Sequence, residues 1–437
     1  MNLWLDFIYL YLYTFGLIMS KRLFISLTFL LLSATGAAAS QVLVPMDDAQ
    51  KNHLKAYGIA YFVLQHQQEV DWLLNYRGGS FGFRQTPLFE EELRARGVSY
   101  EVLTDGQYNN ILQQIADPEV NMEVMKLEKA PAIAVYSPES QQPWDDAVTL
   151  VLNYAEIPYD QVFDEEVLTK QLPRYDWLHL HHEDFTGQYG KSGHSHGEWL
   201  MQQQMESETV ARRHGYGKVS QMKLGVVKEI KAFVTGGGFM FAMCSATDTY
   251  DLALAANGVD IVDALYDGDG VDPEAQQKLD FSLSFAFRDF EVYLGSYYRE
   301  FSSIDNSWNE RGLYEGNDYF SLFTFSAKWD QIPSMLTQNH EKTIRGFMGQ
   351  TTAFKKQLVK PTATVMGVTE QAGEVRYLNG TVGKGTWTFY GGHDPEDYWH
   401  MPGEAPTDLA LHPNSPGYRL ILNNILFPAA KKKKQKT

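Results

Sequence analysis

The stretch Gly236-Gly237-Gly238-Phe239-Met240-Phe241-Ala242-Met243-Cys244-Ser245-Ala246-Thr247-Asp248 decides how the rest of the chain is read. Glycines close a helix, because glycine readily takes the left-handed conformation of a helix end. The run Phe239 to Met243 is short and wholly apolar, as expected of a strand buried on both faces of a parallel sheet. Cys244 stands where this strand turns into a helix, with Ala242 two residues before it and Ala246 two after. Small neighbours permit the sharp strand–turn–helix elbow that presents a nucleophile at a sheet edge. A helix N-terminus behind the sulfur would favour thiolate. Backbone N–H groups at Cys244 and Ser245 could hold an oxyanion. A small buried hydrophobe at an elbow fits the same residues, and spacing leaves both readings open.

Working outward, apolar strands alternate with helical stretches, the pattern of an α/β protein with a mostly parallel sheet and helices on both faces. Strands are expected at Val70–Tyr76, Ser99–Leu103, Ala132–Tyr136, Tyr159–Phe163 and Tyr175–Leu180, and helices at Pro87–Arg96, Trp144–Ala155 and Met222–Val234. Residues 41–128 read as an N-terminal β-α-β extension, 129–270 as the first part of a core, 271–340 as an aromatic-rich insertion, and 341–428 as the second part of the core. In that second part Thr362–Val368, Val375–Leu378 and Thr386–Tyr390 read as strands, the last two joined through Asn379-Gly380 and Gly383-Lys384-Gly385. Residues 429–437 form a basic tail.

The chain has 437 residues, 44% hydrophobic and 21% charged, a globular composition. One cysteine excludes a disulfide framework and a cysteine-rich zinc module. A net charge of -17 argues against nucleic acid as a partner, since that needs clustered Lys and Arg. Residues 1–40 read as a leader. From Met19 there is a basic start at Lys21-Arg22, an apolar run Leu23–Leu32 and a small-residue end at Ala37-Ala38-Ala39-Ser40, the layout of a secretory signal peptide. The expectation is a start at Met19 and export, periplasmic or secreted. No later stretch is apolar for the roughly 18 residues a membrane span needs. The expected partner is a small-molecule substrate or ligand, and the sequence leaves the oligomeric state open.

A second chemical signal lies downstream in Gly383-Lys384-Gly385-Thr386-Trp387-Thr388-Phe389-Tyr390-Gly391-Gly392-His393-Asp394-Pro395-Glu396. A strand delivers His393 into a glycine-flanked loop with carboxylates close behind. A cysteine nucleophile needs such a base, and the base an orienting acceptor, for which Asp394 or Glu396 would serve. A third signal is His179, His181 and His182 followed by Glu183 and Asp184. On a strand, His179 and His181 project to one face. With Glu183 they make an N/O set for a divalent metal such as Zn²⁺. No other cofactor is expected. Asp267-Gly268-Asp269-Gly270-Val271-Asp272 lacks the twelfth-position Glu of a calcium loop and reads as an acidic turn.

The elbow, the stretch GKGTWTFYGGHDPE and the closing GYRLILNNILFPAA together resemble the class I glutamine amidotransferase-like superfamily, nearest its trehalose-utilisation (ThuA-like) branch. The resemblance covers about residues 130–265 and 335–428. It implies a flavodoxin-like sheet, a nucleophile at Cys244, a base at His393 with Glu396 as third member, and an oxyanion site shaped by His182, Glu183 and Ser245. Where amidotransferases carry Gly-x-Cys-x-Gly and His-x-Glu, this chain has Ala-Met-Cys-Ser-Ala and His-Asp-Pro-Glu. The whole chain also resembles bacterial secreted proteins often labelled asparagine synthetase B, yet it lacks the Ser-Gly-Gly-x-Asp-Ser pyrophosphate loop of such synthetases. Two functions follow: a cysteine-dependent hydrolase or amidase for a small polar or carbohydrate-related substrate, and a non-catalytic ligand- or carbohydrate-binding protein on the same fold.

Overall fold

The computed structural model describes residues 40–138, 146–191, 198–306, 311–401 and 403–431. The leader, the signal-peptide reading and most of the basic tail fall outside the described residues. Among those described, no helix is long and apolar enough to cross a membrane.

The N-terminal sheet has five strands: β1 (Ser40–Val44), β2 (Val70–Leu74), β3 (Ser80–Arg84), β4 (Glu101–Thr104) and β5 (Glu123–Leu127). Their order is β4-β1-β3-β2-β5, and every neighbouring pair is antiparallel. This corrects the β-α-β expectation. Only Asn75 to Gly79 separate β2 from β3, far too few residues for the crossover that parallel strands require. Asn75, Arg77, Gly78 and Gly79 all take positive φ there, which reverses the chain tightly. The helix His53–Gln65 covers one face, with Tyr57 edge-on to Trp72 and Phe81.

The second sheet holds ten strands. In chain order they are β6 (Ile133–Tyr136), β7 (Asp160–Val162), β8 (Trp177–Leu180), β9 (Phe239–Met243), β10 (Tyr319–Leu322), β11 (Thr343–Arg345), β12 (Phe354–Lys355), β13 (Thr364–Thr369), β14 (Glu374–Val382) and β15 (Gly385–Tyr390). The order is β11-β10-β13-β14-β15-β9-β8-β6-β7, with β12 paired to β14. Strands β7, β6, β8, β9 and β15 run parallel; β14, β13, β10, β11 and β12 add antiparallel. The sheet is therefore mixed rather than mostly parallel, because short turns join β13, β14 and β15 in succession. The chain does not turn at Asn379-Gly380. That dipeptide lies inside β14, opposite Thr388 and Trp387, and a Cβ on Gly380 would meet the Trp387 ring at 2.3 Å. Glycine is needed there for room rather than for a turn, which comes at Gly383 with φ of 61°.

The aromatic-rich segment contributes β10 to the sheet and buries Phe285, Phe287, Phe290 and Phe301 in the core. The acidic turn at 267–272 carries Asp267 and Asp269, which together with Asp260 surround the Lys218 ammonium.

Candidate functional site

The site is built at the C-terminal ends of β6, β8, β9 and β15, the edge at which open α/β sheets place their ligands. Strand β8 (Trp-Leu-His-Leu) is buried throughout and delivers His179 within the sheet and His181 just past its end. Both face Asp146. His179 Nε2 lies 3.0 Å and His181 Nδ1 3.6 Å from Asp146 Oδ2. Asp146 is the N-cap of the helix Ala147–Ala155: its Oδ1 accepts the Thr149 N–H at 2.9 Å, leaving Oδ2 for the histidines. His179 Nδ1 lies 3.2 Å from the Phe241 carbonyl on β9. Burial alone would raise the Asp146 carboxyl, but His179, His181 and the Thr149 N–H hold it well below the usual carboxylate range.

From the other side, β15 ends at Tyr390 and Gly391-Gly392 carry the chain to His393. A Cβ on Gly391 would meet the Thr352 carbonyl at 2.4 Å, and Gly392 has φ of 111°. Both glycines let the backbone approach the strap 348–352, where Gly392 N–H donates to the Thr351 carbonyl and His393 N–H to that of Met348. His393 Nδ1 thereby comes to 2.9 Å from His181 Nε2. The His181 ring lies 4.6 Å edge-on from both His182 and His393. His400 stacks on His393 at 5.2 Å and 17°, with its Nδ1 2.9 Å from Asp397. Burial drives the imidazolium forms away: His181 falls to about 4, and His182 and His393 fall well below the usual histidine value. At neutral pH these three rings are neutral and offer lone pairs.

Cys244 occupies the expected elbow. It follows β9, takes φ of 49°, and precedes the helix Ala246–Ala255. The elbow is tied to both histidine loops, since Cys244 N–H donates to the Gly392 carbonyl and Ala246 N–H to that of His181. The thiol itself is 2% exposed, and its sulfur accepts the Gln350 N–H at 3.2 Å. Burial pushes it up to about 11, against the opposing N–H groups of Gln350, Thr351 and Ser245. The hydrogen bond of His393 goes to His181, not to Cys244.

The remaining expected residues fall as follows. The Glu396 carboxylate lies 3.1 Å from His412 Nδ1, so it pairs away from His393. Asp394 is buried, accepting the Glu396 N–H and the Thr407 hydroxyl. The Ser245 hydroxyl is buried under the elbow. Glu183 is buried, with its carbonyl accepting the Thr249 hydroxyl at 3.1 Å. Its carboxylate does not join His179 and His181 in a ligand group; Asp146 takes that place. A second group of donors is one ring nitrogen each from His181, His182 and His393, all within 4.8 Å of one another. Asp146, Asp397 and His400 were not read from the sequence. For Asp146 a signal existed: an Asp directly before an apolar helical run is an N-cap.

No protein family matches the chain, and no curated protein does. Among solved structures, two cytoplasmic proteins of Salmonella typhimurium align over 69% of this chain at 11% identity and TM-score 0.35, covering 100% and 99% of their own lengths. A beta-galactosidase from Bacillus circulans sp. alkalophilus aligns over 62% of this chain and 29% of its own length, at 12% identity and TM-score 0.26.

Proposed function

We propose that this chain is a hydrolase acting on a small polar or carbohydrate-related substrate, with water activated at the histidine cluster rather than an acyl group carried on Cys244. The observation that carries this reading is the convergence of buried His181 and His393 and half-buried His182 at the C-terminal sheet edge, beside a thiol whose sulfur accepts the Gln350 N–H instead of pairing with a base. The parallel strands run β7-β6-β8-β9-β15, the 2-1-3-4-5 order of flavodoxin-like sheets, which supports an amidotransferase-like core. Cys244 keeps the elbow of that fold and serves packing. A nucleophilic thiol would need a lowered pKa and an adjacent base; here burial raises it.

Native protein treated with iodoacetamide near neutral pH tests this on activated esters, amides and aryl glycosides. Turnover should survive the treatment, because the thiol is buried and protonated. Loss of turnover in step with one alkylated thiol per chain would return the chemistry to Cys244. A second reading, ligand binding without turnover, is favoured by the same inert thiol. It predicts saturable sugar or amide binding with none of the panel hydrolysed.

A further inference from the structure

We infer that His181, His182 and His393 form a binding site for one divalent ion of the imidazole-preferring class, Zn²⁺ foremost, with Asp146 as the carboxylate behind His181. This rests on the same cluster as the proposed hydrolysis and names how water would be activated there. The ligand atoms come from two loops of the parallel edge, those after β8 and β15, and lie within 4.8 Å of one another, with His181 Nε2 and His393 Nδ1 at 2.9 Å. Zinc–nitrogen bonds of ~2.0–2.1 Å put tetrahedral ligand nitrogens ~3.4 Å apart, so small ring movements would seat the ion. A proton shared between His181 and His393 accounts for two rings. A cation accounts for all three, since one ring nitrogen of each lies within 4.8 Å of the other two.

The second layer matches what metal-bound histidines have. His181 Nδ1 is buried, makes no hydrogen bond, and faces Asp146 Oδ2 at 3.6 Å. A carboxylate on that side favours the N–H on Nδ1, which leaves Nε2 for a metal. Asp146 is itself held by the Thr149 N–H and by His179, which reaches back to the Phe241 carbonyl. His179 thus belongs to the support, with both ring nitrogens engaged, rather than to the ligand set. Three imidazole ligands without a fourth protein ligand is the arrangement of catalytic rather than structural zinc. A bound ion would supply a water of pKa near ~7.

Elemental analysis of the full chain, followed by metal stripping and Zn²⁺ titration monitored by melting temperature, tests this. The expected result is close to one zinc per chain and a melting temperature that rises with added Zn²⁺. Both effects should vanish in His393→Ala, and also in His182→Gln, whose half-buried side chain makes misfolding less of a concern. Asp146→Asn should weaken zinc binding ~10–100-fold without abolishing it. A wild-type chain that takes up no Zn²⁺, Co²⁺ or Ni²⁺, with its melting temperature unmoved, overturns the metal site. The two readings separate cleanly. Turnover that needs His393 but survives chelation in a metal-free chain leaves the hydrolase and removes the metal. Stoichiometric zinc lost in His393→Ala, with no substrate turned over, does the reverse.

Discussion

At Cys244 two effects oppose each other. The N–H groups of Gln350, Thr351 and Ser245 point toward the sulfur and favour thiolate, while complete burial favours thiol, and burial wins. The consequence is a pH dependence of stability. In the unfolded chain the thiol ionises near ~8.5, and in the folded chain near about 11. Below the lower value both states hold the proton and stability is unaffected. As pH rises between the two, only the unfolded state releases it, so stability falls by about 2–3 kcal/mol. Urea unfolding from pH 8 to 11 should show a steeper loss for wild type than for Cys244→Ala, and equal slopes would mean the thiol is not buried as described. At this scale the elbow and the His393 loop were legible, because small residues and paired glycines are local signals. The partnership of Asp146 with His179 and His181 was not, because it joins different loops through space and leaves only an N-cap in the sequence. Glu396 misled for the converse reason: sequence proximity to His393 implied a contact, and the turn sends its carboxylate to His412.

Among the elements, the parallel half was readable because its strands are continuous apolar runs. The N-terminal sheet and the antiparallel half were not, because strand direction is set by connection length and by pairing beyond the local pattern. The antiparallel half has its own anchor. Arg311, 1% exposed at the side chain, bonds both oxygens of Asp318 at 2.9 and 3.1 Å and both of Glu374 at 2.8 Å. Arg376 adds its Nη2 to the Phe347 carbonyl and its Nη1 to Asp318. Asp318 immediately precedes β10 and Glu374 opens β14, so the network ties the aromatic segment to the sheet. Removing one member of a buried ionic network strands the others in low dielectric. Arg311→Met should therefore lower unfolding free energy by about 3–5 kcal/mol in urea titrations. A loss below ~1 kcal/mol would mean that water reaches these carboxylates.

Across the whole molecule, the two sheets are joined by helices rather than by a shared strand. The helix His53–Gln65 packs on the helices Ala147–Ala155 and Pro416–Leu426 in one continuous core. Tyr57 donates to Asn423 at 2.5 Å, and Arg419 donates to the carbonyls of Met46 and Gly78. At Gly58 a Cβ would fall 1.9 Å from the Ala155 carbonyl oxygen. Gly58→Ala must push the N-terminal helix off the helix that Asp146 caps, at a cost of about 1–3 kcal/mol. A lowered melting temperature checks this, and an unchanged one would mean the helices pass farther apart. This junction sets the N-terminal helix directly against the helix whose N-cap, Asp146, faces the histidines.

On the proposed function, chemistry resides in the histidine cluster and Cys244 is a packed elbow residue. Turnover of the ester, amide and glycoside panel by Cys244→Ala and His393→Ala, each shown to be folded, tests it most directly. Cys244→Ala should stay within about threefold of wild type, while His393→Ala should fall by roughly 10²–10⁴-fold. Loss of turnover in Cys244→Ala with His393→Ala left active would contradict it.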